Sequence, residues 1–206
     1  MTTATEYRPS FGDRIGIAIF MVAGLAIVAW SAIAAIARIM EVLLGENVPV
    51  LAEFFDTRAD APIGPGGAPV PVTLDTAYVV AEQLPAPSVV AALIEPAIAF
   101  LTVATVVICL ILLARNILRG RIFGRGNTAL VSTAGFTGLI GSALPPFFGN
   151  MVANGAVADI SDRSFDNTVV LSVDLFPYVI GAFIVAIVVT AFGVGDRLQR
   201  ETEGLV

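Results

Sequence analysis

Leu118-Arg119-Gly120-Arg121-Ile122-Phe123-Gly124-Arg125-Gly126-Asn127 is a short basic turn between two long apolar runs. With Arg115 just before it, the turn holds four of the eleven basic residues of a chain that has neither lysine nor histidine. Arginine and lysine collect in the cytoplasmic loops of membrane proteins. Arg115, Arg119, Arg121 and Arg125 therefore set the orientation of the apolar runs on either side.

Those runs decide the fold class. The chain is 57% apolar and 14% charged, against about 25% charged in an ordinary soluble domain. Roughly 20 mostly apolar residues cross a bilayer as a helix, and four such blocks stand at about 15–39, 89–118, 128–158 and 175–194. The expected architecture is an all-α transmembrane fold, with residues 1–206 forming one polytopic domain. The first block is too long for a signal-peptide core of 7 to 15 residues, although Ala35-Ile36-Ala37 resembles a cleavage site, so it reads as a retained anchor after the polar leader Met1 to Asp13. Ser10 and Asp13 have the spacing of a capping pair at its start.

Going outward from the turn, the second block ends at Arg115, Asn116 and Arg119, with Gly120 as its stop. Pro87 fits its first turn, where a missing N–H costs nothing. The third block is the least apolar. Ala134, Gly138 and Ser142 make a small-residue stripe suited to close helix contact, and Pro145-Pro146 is expected to kink or break the helix. The fourth block has Pro177 in its first turn and continues through Asp196 to Glu203 as a polar helical tail.

Two polar loops remain, at about 45–85 and 159–174. The first carries six prolines and the Ile63-Gly64-Pro65-Gly66-Gly67 turn signal. Val48 to Leu51 and Val70 to Leu74 read as strands, with Pro71 restricting the latter to an edge or bulge; Asp75 to Gln83 reads as a helical turn. In the second loop Thr168 to Val173 is a strand candidate. With the leader, the basic turn and the tail on one side, eight arginines stand against five carboxylates; the other side has three arginines against twelve. Both this asymmetry and the even number of spans put the N- and C-termini in the cytoplasm of a cell membrane. The strands then fall outside, where they can pair into a small β-containing cap, making the whole a four-helix membrane bundle with an extracytoplasmic cap.

The basic Ile-Leu-Arg-Gly that closes the second helix, the aromatic Phe123, and Asn127 at the start of the third resemble a bacterial membrane family called domain of unknown function 2975. The ending Gly195-Asp196-Arg197-Leu198-Gln199-Arg200-Glu201-Thr202-Glu203-Gly204-Leu205-Val206 resembles it too, since members commonly close with an acidic residue followed by Leu-Thr-Val or Gly-Leu-Val. The resemblance covers the last two spans, the turn and the four-span plan. It implies a four-helix membrane protein whose relatives in some bacteria accompany a small helix-turn-helix regulator, a hint of signalling. It implies no catalytic residues.

Three polar residues inside the apolar blocks are the candidate site. An ionisable group within a span is costly and often marks an ion or proton path. Glu95 is such a group, but it lies near the outer end of its helix, where headgroup exposure, or pairing with Arg38 or a third-helix asparagine, is the more ordinary account than transport. Asn150 and Asn154 either line a polar cavity under the cap or, as such residues more often do, make interhelical hydrogen bonds. Arg38, with Glu41 three residues on, sits where a long side chain can snorkel. Asp159, Asp162 and Asp166 lack calcium-loop spacing and read as a solvated acidic face. Cys109, among Val106, Val107, Ile108 and Leu110, reads as packing.

The same inventory weighs against catalysis. There is no histidine, no metal-ligand motif and no phosphate-binding loop, since Gly120 to Gly126 lacks both the lysine and the preceding strand. No cofactor is expected, and the lack of a basic face gives no support for nucleic acid. The expected partners are the lipid bilayer, with anionic lipid near the arginines, and a membrane or regulatory protein. The sequence thus suggests a non-enzymatic sensor or partner-binding membrane component. The competing reading is a subunit of a small oligomeric transporter or channel.

Overall fold

A computed structural model describes residues 10–45, 47–165 and 169–203. The leader up to Pro9, the Asp13 side chain of the capping pair, Glu46, Asp166, the first residue of the Thr168 strand and the closing Gly204 to Val206 lie outside the described residues. The elements run α1 (Phe11–Leu44), β1 (Val48–Ala61), a 3-10 turn (Pro65–Gly67), β2 (Val70–Ala81), α2 (Ala86–Leu118), α3 (Arg125–Ile160) and α4 (Leu175–Glu203).

All four helices are long and apolar enough to cross a membrane, and the third is the least apolar, with mean hydropathy 1.2 against 2.4 to 2.9. At 1.5 Å per residue the 34 residues of α1 measure about 51 Å, well beyond the ~30 Å of a hydrocarbon core. Each of the first three helices extends past its expected block, because polar flanking residues continue the backbone ladder where hydropathy fades. Their outer surfaces are apolar: Trp30 is 74% exposed, and Ile19, Leu25, Phe183 and Ile187 are also exposed. So much uncovered apolar surface is what lipid covers and water does not tolerate.

The chain divides into two compact units. One comprises Met1–Ile33, Ala99–Ser142 and Asp174–Val206. Its helices meet through glycines. A Cβ at Gly24 would lie 3.0 Å from Val107, one at Gly135 2.6 Å from Val185, and one at Gly181 2.8 Å from Leu139. At Gly141 it would collide with Thr102. The expected stripe is thus only part of the contact. Gly138 faces Val106 at an ordinary 3.8 Å, and the closest approaches fall at Gly135 and Gly141. Helical spacing explains this: Gly138 and Gly141 face α2, while Gly135 and Leu139 face α4, so α3 packs through two faces rather than one.

Pro145 and Pro146 do not break α3, which is continuous from Arg125 to Ile160. A proline removes one ladder bond, here leaving the carbonyl four residues earlier. For Pro146 that carbonyl belongs to Ser142, and the Tyr178 hydroxyl donates to it at 3.2 Å. Tyr178 lies in the first turn of α4, the turn that contains Pro177 as expected.

The second unit comprises Ala34–Ile98 and Ala143–Val173. Its core joins the hairpin face Val48, Val50, Ala52 and Phe54 to Ala91 and Ala92 of α2 and Val152, Ala153, Ala156 and Val157 of α3. β1 and β2 form a two-stranded antiparallel sheet, with Val48 opposite Ala81 and Ala61 opposite Val70. Both strands run much longer than expected. Asp75 to Ala81 is strand, not a helical turn, because Tyr78-Val79-Val80 is aromatic and β-branched and pairs with Leu51, Val50 and Pro49. Pro71 sits on an edge, as any residue of a two-stranded sheet must. Between Glu53 and Thr57 the register shifts, and Asp56 takes a left-handed φ of 43°. This bulge lets inward burial resume at Thr57. At the tip, a side chain on Gly64 would lie 2.7 Å from the Ala68 carbonyl.

The third expected strand is reduced to one bridge, Phe54 to Val169. Val170 N–H adds a bond to the Glu53 carbonyl at 2.9 Å. The segment from Val170 to Asp174 has no strand assignment.

Candidate functional site

The second unit encloses a half-open cavity of about 460 Å3. α1 contributes Arg38, α2 Glu95, and α3 Pro145, Pro146, Gly149 and Asn150. The hairpin supplies Val50, Leu51, Glu53 and Tyr78, and the segment after the bridge supplies Leu171 and Ser172. Two of the three polar residues singled out from sequence, Glu95 and Asn150, therefore share one cavity.

Arg38 is set by α1 and held by its surroundings. Its Nη1 donates to Glu41 Oε2 at 2.6 Å, one turn along the helix, and its Nη2 donates to the Pro49 carbonyl at 3.0 Å. The arginine thus ties α1 to the first residues of β1, a role the snorkelling expectation did not contain. It does not pair with Glu95. Glu95 forms no hydrogen bond or ion pair with any of the described residues, although Arg38 is near enough to act on its charge. It projects from the third turn of α2 toward α3, where a Cβ on Gly149 would lie 3.5 Å from Oε1. A larger residue at 149 would cover the carboxylate.

Glu53 has a structural task. Its Oε2 accepts the Ser172 N–H at 3.2 Å, beside the Val170 bond to its own carbonyl. Side chain and backbone of one residue thus fasten residues 169–172 along the cavity wall. Sequence reading passed over Glu53, since neither its neighbours nor its spacing distinguish it from other loop carboxylates.

Asn154 Nδ2 donates to the Asn150 carbonyl and to Asn150 Oδ1, both at 3.0 Å. These bonds lie within α3, so the expected interhelical pairing is not formed: residues four apart stack on one helix face. Asn150 lines the cavity and Asn154 does not. On the same helix, Gly155 allows Ser88 of α2 to approach so closely that a methyl there would collide with its hydroxyl.

The basic turn belongs to the other unit and has a defined geometry. Gly120, with φ 74°, follows the helix end. Its N–H bonds to Ile117 O at 2.9 Å and Arg121 N–H to Asn116 O at 3.0 Å, the paired bonds of a Schellman stop. Asn127 then fixes the turn from inside. Its Nδ2 donates to Arg121 O at 2.7 Å and Ile122 O at 2.9 Å, and its Oδ1 accepts from Asn116 Nδ2 at 2.7 Å. Phe123 packs edge-on to Phe192 at 5.8 Å and lies so close to Gly195 that a side chain there would strike its ring. Arg115, Arg119, Arg121 and Arg125 are exposed and form no ion pair among the described residues. They act as solvated charges.

Chemically, the cavity offers an uncommitted carboxylate beside apolar walls. No group of three potential metal ligands occurs among the described residues. In comparisons with protein-family models, curated proteins and solved structures, nothing matched this chain.

Proposed function

We propose that the chain is a non-enzymatic, four-span component of a cell membrane, a sensor that binds its signal in the cavity of the second unit and relays it to a membrane or regulatory protein. The termini and the basic turn face the cytoplasm, and the hairpin with residues 169–172 forms an extracytoplasmic cap. The arginine asymmetry supports that orientation, and the resemblance to domain of unknown function 2975 is consistent with a role in signalling.

The observation that carries the reading is the cavity itself, which Glu95 lines without a hydrogen bond or ion pair among the described residues. The glycine contacts of the other unit add support. Between its helices they are glycine against valine, isoleucine or leucine, with Thr102 as the polar exception, which is packing suited to a closed bundle and not to an aqueous path.

Crosslinking in native membranes followed by capture of the full chain tests the reading. The expected result is one stoichiometric protein partner, with no solute flux in proteoliposomes containing the chain alone. Flux of ions or small solutes through those proteoliposomes, with no partner captured, would replace the sensor with the small oligomeric transporter or channel.

A further inference from the structure

We propose that the cavity is a site for a small organic cation with an apolar body, and that Glu95 is its counter-charge. This deepens the sensor reading, and rests on it, by naming the class of signal. The wall has three charged groups, Arg38, Glu53 and Glu95. Arg38 is taken up by Glu41 and by the Pro49 carbonyl. Glu53 accepts the Ser172 amide. Glu95 alone has neither a hydrogen bond nor an ion pair among the described residues.

A carboxylate among apolar groups is costly unless a positive charge answers it, and Arg38, bound to Glu41 and the Pro49 carbonyl, acts on Glu95 only from beyond ion-pair distance. A lone metal ion fits poorly, because it requires several oxygen ligands and no such cluster occurs among the described residues. An organic cation needs one counter-charge and apolar contact. Val50, Leu51 and Leu171 supply the contact, and the lining also includes Tyr78, a residue whose ring can attract ammonium groups. The volume of about 460 Å3 falls within the range of about 300–1,000 Å3 typical of small-molecule pockets. Gly149 keeps the approach to Glu95 open, since any side chain there would meet the carboxylate.

The test is calorimetric titration of the full-length protein in nanodiscs of zwitterionic lipid. Three probes of one shape are used: benzyltrimethylammonium, its uncharged isostere neopentylbenzene, and benzylsulfonate. The expected result is saturable binding of the cation at one site, at least tenfold tighter than the neutral probe, and no binding of the sulfonate. Glu95→Gln, which keeps the shape, and Gly149→Val, which keeps the charge but covers it, are each expected to weaken the cation at least tenfold. Absence of saturable cation binding overturns the proposal. So does cation binding that survives Glu95→Gln, or sulfonate binding of equal strength. Should either variant fail to give a monodisperse protein, the order of the three probes on the wild type decides. The sensor reading fails separately: transport of labelled cation across a proteoliposome membrane would remove the sensor and leave the site, whereas a captured partner without cation binding would remove the site and leave the sensor.

Discussion

Asn116 near the end of α2 donates from Nδ2 to Asn127 Oδ1 in the first turn of α3, at 2.7 Å, and Asn127 in turn donates to the carbonyls of Arg121 and Ile122. One buried amide thus holds both ends and the middle of the turn that carries the orientation charges. Each neutral hydrogen bond contributes on the order of 1 kcal/mol, so Asn127→Ala is expected to destabilise the protein by roughly 2–3 kcal/mol. Asn127→Asp tests the direction of the bonds. It keeps the shape but replaces the donor with an oxygen facing two carbonyls, and should be at least as damaging as alanine. A thermal melt in detergent in which Asn127→Asp equals wild type would show that the amide donors contribute nothing.

Phe123 and Gly195 are a second coupled pair. A methyl group on Gly195 strikes the Phe123 ring, and misfit of this kind in a packed interface costs about 1–3 kcal/mol. Gly195→Ala should therefore lower the melting temperature clearly in the wild type. In a Phe123→Ala background, where the ring is gone, the same change should be nearly neutral. Additive losses in the double-mutant cycle would mean that the ring does not rest on Gly195.

Phe123 and Asn127 in the turn lie about 70 residues before Gly195 and the polar tail. The structure brings Phe123 onto Gly195 and threads Asn127 through the turn, so residues marked only by pattern prove to be structural neighbours. The four helices, the Gly120 stop and the helical tail were legible because hydropathy, glycine and capping are local signals. The hairpin was half legible. Val48 and Val70 stood out, but prolines and acids along both strands obscured their length, since a strand exposed on one face tolerates polar residues at alternate positions. Of the site, Glu95 and Asn150 could be named as ionisable or polar groups within spans. The tasks of Arg38, Glu53 and Gly149 depend on chain segments up to 119 residues apart, and no spacing rule in one sequence reports such a meeting.

The fastening of residues 169–172 to β1 can be tested by itself. Glu53→Ala removes the acceptor for the Ser172 amide but leaves the Glu53 carbonyl for Val170. Hydrogen exchange should therefore accelerate several-fold at Ser172 and far less at Val170. Equal acceleration at both amides would mean that the segment opens as one piece and that the Glu53 carboxylate has no separate role.

Tyr178 and Pro146 give the most discriminating cycle. Pro146 cannot donate to Ser142 O, and the Tyr178 hydroxyl donates to it instead, at 3.2 Å. Polar contacts between membrane helices average about 0.6 kcal/mol by double-mutant cycles, so Tyr178→Phe should lose roughly that much. Pro146→Ala restores a backbone N–H able to reach Ser142 and to complete the helical ladder. In that background the hydroxyl has nothing left to satisfy, and Tyr178→Phe should cost little or nothing. If Tyr178→Phe costs the same with and without Pro146, the tyrosine does not substitute for the missing ladder bond, and the continuity of α3 through its two prolines must rest on packing alone.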